Sequence, residues 1–70
     1  MPYKFFDIKK RLSILWFDVV RQKWSHVIFS NGKITFPVPN HGHKDISPGV
    51  ESKILSFVSM KKQEFDTLIK

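Results

Sequence analysis

Apolar residues near the start of the chain recur at helical spacing: Phe5, Ile8, Leu12 and Leu15 fall on one stripe, with Lys9, Lys10 and Arg11 between them. This period predicts an amphipathic helix over residues 4–15 with a basic outer face. From Phe17 the pattern shortens. Runs rich in β-branched and aromatic residues at 17–21, 26–30 and 33–38 predict three antiparallel strands. Asn31-Gly32 between the second and third runs predicts a tight hairpin of type I′, a turn that needs positive φ at both central residues. Pro37 has no amide hydrogen, so the third strand is expected at a sheet edge, fraying towards Pro39.

After a loop from Asn40 to Ile46, Ser47-Pro48 reads as a helix start, serine capping free amides and proline pre-set for the first turn. Val50, Ile54, Leu55 and Val58 then form an apolar stripe. Ser59 is expected to cap one more short helix, with Met60, Phe65, Leu68 and Ile69 facing inward. Two main helices against one face of a three-stranded antiparallel sheet make an α+β two-layer sandwich, in the order α-β-β-β-α with a short C-terminal helix. The sequence contains no repeats, linkers or low-complexity tracts.

Seventy residues predict one small domain over 1–70. Such a chain buries only about 60% of its unfolded surface, which excludes a large enzyme that engulfs its substrate. The chain has no cysteine, so disulfides, zinc-thiolate sites and a thiol nucleophile are excluded, in keeping with a reducing compartment. Twelve Lys and Arg against six Asp and Glu give a formal charge of +6, which favours a polyanionic partner. The excess is concentrated: residues 1–33 hold Lys4, Lys9, Lys10, Arg11, Arg21, Lys23 and Lys33 against only Asp7 and Asp18. No apolar run reaches the ~20 residues of a membrane span, and the N-terminus lacks a signal-peptide pattern. A cytoplasmic protein with no membrane partner is expected, a monomer when free.

His26 opens the second predicted strand. If Val27 and Phe29 pack under the helices, His26 and Ile28 point to the open face. A lone histidine in a small domain is more often structural than catalytic, so its surroundings decide. They are Trp24-Ser25-His26 behind a basic approach, Arg21-Gln22-Lys23, then Val38-Pro39-Asn40-His41-Gly42 one hairpin later, followed by Lys44 and Ser47-Pro48-Gly49. This order and spacing resemble the HicA family of toxin mRNA interferases, whose pattern is a basic turn, Gly-Ser-His, an apolar strand, then Val-Pro-x-His-Gly. The resemblance runs without a gap over nearly the whole chain. It departs at Trp24 and Trp16, both standing where the family usually has glycine.

The resemblance implies a double-stranded-RNA-binding-domain-like fold, a ribonuclease toxin acting on mRNA, and a HicB-like antitoxin protein that covers His26. Its chemistry is simple, because RNA carries its own nucleophile. An imidazole near neutral pKa takes the 2′-OH proton while cations stabilise charge developing on the phosphate. No metal or other cofactor is needed. Arg21, Lys23 and Lys33 are the cations expected nearby, and Lys9, Lys10 and Arg11 either carry RNA phosphates or form a solvated helix face. His41 matches the second histidine, as an auxiliary proton-transfer group or, the favoured reading, a brace for its loop. His41 and His43 sharing a metal is the weaker alternative.

Ser25 lacks an orienting carboxylate, so its expected role is a turn hydrogen bond rather than attack. Trp24 either stacks on an unpaired base or obstructs a turn that requires positive φ, whereas Trp16 is expected to complete the core. Two alternatives to the enzyme therefore stand: a non-catalytic RNA-binding module of the same fold, inactivated at Trp24, and a protein-interaction domain anchored by both tryptophans.

Overall fold

A computed structural model of the chain describes residues 3–69; residues 1, 2 and 70 of the expected domain lie outside them. The element order is α1 (Phe5–Ile14), β1 (Asp18–Lys23), β2 (His26–Ser30), β3 (Thr35–Pro39), α2 (Pro48–Val58) and α3 (Lys62–Asp66). The strands form one antiparallel sheet in the order β1-β2-β3, with the helices on one face. This is the α+β two-layer arrangement read from the sequence, with the element order of a double-stranded-RNA-binding domain.

The predicted stripes meet in one core. Ile8 and Leu12 of α1, Phe29 of β2, Phe36 and Val38 of β3, Ile54 of α2 and Phe65 of α3 are all fully buried. Alternation along β2 puts Val27 and Phe29 under the helices and leaves His26 exposed. On β3 the same alternation buries Phe36 and Val38 and turns Pro37 and Pro39 to the other side. The prolines leave no unmet ladder bond, because β3 is an edge strand, as Pro37 required. The strand does not fray: it runs to Pro39, and the Asn40 amide still donates to the Ser25 carbonyl at 2.6 Å.

α1 ends in a Schellman pair, with the Phe17 amide donating to Leu12 O and the Trp16 amide to Ser13 O, and Trp16 at φ 69°. That is the left-handed position glycine normally fills. The Trp16 ring is 85% exposed, so it does not complete the core. Phe17, the next residue, does. Ser47 caps α2 as predicted, its Oγ accepting from the Val50 amide at 3.3 Å.

The hairpin at Asn31-Gly32 forms, but not as a type I′ turn. Ser30 pairs with Thr35, so four residues connect the strands, and β3 begins at Thr35 rather than Lys33. Asn31 Oδ1 accepts from the amides of Lys33 and Ile34 at 2.9 and 2.8 Å, and only Gly32 takes positive φ. The asparagine side chain thus does what the second left-handed residue would have done. Ser59 is a second correction. It ends α2 in the left-handed conformation, and the residue at the head of the short α3 is instead Lys61, whose amide donates to Glu64 Oε1 at 2.9 Å. Of the four residues expected inward around α3, Phe65 is fully buried and Met60, Leu68 and Ile69 are partly so. No helix among the described residues is long and apolar enough to cross a membrane.

Candidate functional site

The two sequence clusters around His26 are brought together by strand pairing. His26 opposes Lys23 on one side and Pro39 on the other, and the Asn40 amide donates to the Ser25 carbonyl. From there Asn40 Oδ1 accepts from the Gly42 amide at 3.1 Å, with Gly42 at φ 69°. Trp24-Ser25-His26 and Val38-Pro39-Asn40-His41-Gly42 therefore form one continuous rim.

Arg21 and Lys23 reach the same face as His26 because β1 carries a bulge. The register is Val19 opposite Phe29 and then Arg21 opposite Ile28, leaving Val20 without a partner. Side chains alternate strictly along a regular strand, so without the extra residue Arg21 and Lys23 would share the helix side with Val19. With it, they stand beside Ile28 and His26. No feature of the sequence pattern announced this bulge.

Trp24 and Ser25 are the two central residues of the β1–β2 turn. Trp24, the first, takes positive φ, 56°, a conformation that glycine adopts more readily than any residue with a Cβ, and Ser25 does not. Trp24 thus sits in a left-handed site, 84% exposed, with Lys23 Nζ 5.4 Å from its ring. Ser25 contributes its backbone carbonyl, not its hydroxyl, to the bond that holds the rim. A groove of about 370 Å³ opens on the far side of His26, bounded by Pro37 and Pro39 and by Val50, Lys53, Ile54 and Phe57 of α2. Lys53 and Phe57 were not singled out in the sequence, although both sit one turn from stripe residues.

Other expected cations fall elsewhere. Lys33 lies in the β2–β3 loop, beyond the far end of the strand that His26 begins. At the rise of a strand that is ~13 Å or more away, so hairpin proximity does not bring it to His26. Arg11 is structural: its guanidinium donates to the Phe65 carbonyl at 3.0 Å, the Asp66 carbonyl at 3.4 Å and the Asp7 carbonyl at 3.1 Å, and lies 4.9 Å from the Tyr3 ring centre. It closes the C-terminal end of α3 and is not free to hold phosphate. Lys9 borders a second groove with Ser13, Asp18 and Val19, at the end of β1 away from the turn. Lys10 is exposed, and neither lysine shares a strand face with His26.

The exposed His41 ring makes no hydrogen bond among the described residues, while its backbone carbonyl accepts from the Lys44 amide at 3.4 Å. Asn40 and the ion pair of Lys4 Nζ with Asp45 Oδ1, 2.7 Å, hold that segment. No group of three or more His, Cys, Asp or Glu that could hold a metal ion occurs among the described residues. The family model described as HicA toxin of bacterial toxin-antitoxin matches residues 7–63, a span that includes every residue of the rim and groove. No curated protein and no solved structure matches the chain.

Proposed function

Because the chain belongs to the HicA toxin family, and so is a toxin of a bacterial toxin-antitoxin system, we propose that it acts as a metal-independent endoribonuclease on mRNA, with His26 as the proton-transfer group. The observation that carries this reading is the grouping of an exposed imidazole with Arg21 and Lys23 on one open sheet face. The imidazole removes the proton of a ribose 2′-OH as that oxygen attacks the adjacent phosphorus. The bond to the 5′-oxygen of the next nucleotide breaks. Arg21 and Lys23 stabilise charge on the non-bridging oxygens, and the departing oxygen takes a proton from His41 or from water. The products are a 2′,3′-cyclic phosphate, or the 3′-phosphate formed by its hydrolysis, and a free 5′-hydroxyl.

A HicB-like antitoxin is the expected partner, covering His26 and so the open face. The second reading, a non-catalytic RNA-binding module, is favoured by one observation: a tryptophan in a left-handed site immediately before Ser25 and His26. End-group analysis of a long single-stranded RNA incubated with the purified protein in EDTA separates the two. Cyclic or 3′-phosphate ends from RNA, with DNA untouched, are expected. RNA that is bound and remains intact would leave the binding module.

A further inference from the structure

The groove beside His26 has a composition that the cleavage chemistry does not use. Its walls are the rings of Pro37 and Pro39 and the apolar side chains of Val50 and Phe57, with the buried Ile54 at its floor; among the described residues Lys53 is its cation and no carboxylate lines it. Phe57 is held in place by parallel stacking on Phe36, ring centres 4.8 Å apart and planes 2° from parallel, while 41% of it stays exposed. A fixed, partly exposed aromatic ring among proline rings is a surface on which a flat ring packs at low entropic cost. At about 370 Å³ the groove lies at the small end of the range for ligand pockets.

We propose that this groove is a nucleobase pocket: the base next to the scissile phosphate turns out of the strand into it, with Lys53 on a neighbouring phosphate. The inference rests on the ribonuclease reading for the position of that phosphate at His26. A base is favoured over a protein side chain because His26, which lines the groove, shares its strand face with Arg21 and Lys23 on the neighbouring strand, in a chain of formal charge +6. The consequence concerns substrate class. A paired base is held in its stack and cannot enter a side pocket without being extruded, so this protein selects single-stranded or locally opened RNA although its fold is that of a double-strand binder.

The test uses an uncleavable 2′-O-methyl oligoribonucleotide and the same oligomer lacking one base, titrated into the full chain while the methyl resonances of Val50 and Ile54 are followed by NMR. The base-bearing oligomer should shift both residues' methyl signals and the abasic one should not. Lys53→Ala, an exposed position, should weaken binding by about tenfold. Equal shifts with both oligomers, shifts confined to Arg21 and Lys23, or no binding at all would overturn the pocket; in the last case the groove is left for a protein partner. This readout does not require cleavage. Methyl shifts without cleavage would sink the enzyme and keep the pocket, and cleavage without methyl shifts would do the reverse.

Discussion

Trp16 and Trp24 hold left-handed backbone with almost fully exposed rings, so neither recovers in packing what its φ costs. For an L-residue with a Cβ that cost is about 1–2 kcal/mol, partly offset in any comparison with glycine by glycine's greater freedom when unfolded. Trp16→Gly is therefore expected to stabilise the protein by about 0.5–1 kcal/mol, read as a higher urea midpoint at unchanged slope. A lower midpoint would mean the indole makes contacts that matter. Both positions were recognisable in the sequence as glycine sites through the family pattern. What the sequence does not convey is where the rings go: a large apolar residue after a helix reads as core, whereas the left-handed residue points its side chain outward and the following Phe17 takes the interior place.

At the level of elements, periodicity was sufficient for α1, β2 and the start of α2, because each has one buried stripe and a local end signal. It failed where a side chain or a tertiary contact replaces a local rule. Asn31 closes its loop through its own carboxamide, and Glu64 caps α3 in place of Ser59. Arg11 looked like one of three equivalent cations on a helix face, yet its partners lie 54 and 55 residues away in α3. Arg11→Lys keeps the charge but cannot reproduce the planar fork. It is expected to lower stability by about 1–2 kcal/mol in thermal or urea unfolding, with RNA affinity unchanged in the folded protein. Weaker RNA binding at unchanged stability would reassign Arg11 to the interface. The bulge at Val20 was equally invisible, since it is defined only by the register against β2.

Over the whole molecule, the cationic excess of residues 1–33 divides into groups with different roles. Arg11 joins helices, Lys33 lies at the far end of the sheet, and Arg21 and Lys23 flank His26. Titrating binding against salt separates them, because each phosphate neutralised on single-stranded RNA contributes about 0.7 to the slope of log K on log salt. Lys23→Ala should flatten the slope by about that amount, and Lys33→Ala should not; an equal effect from both would mean an interface spread over the sheet rather than centred on His26. The most direct measurement is the single-turnover rate of RNA cleavage in EDTA for the wild-type chain and for His26→Ala, an exposed substitution that leaves the core intact. A loss of at least about 100-fold with unchanged folding is the predicted result. Cleavage by the variant within about tenfold of wild type would place the chemistry on another group.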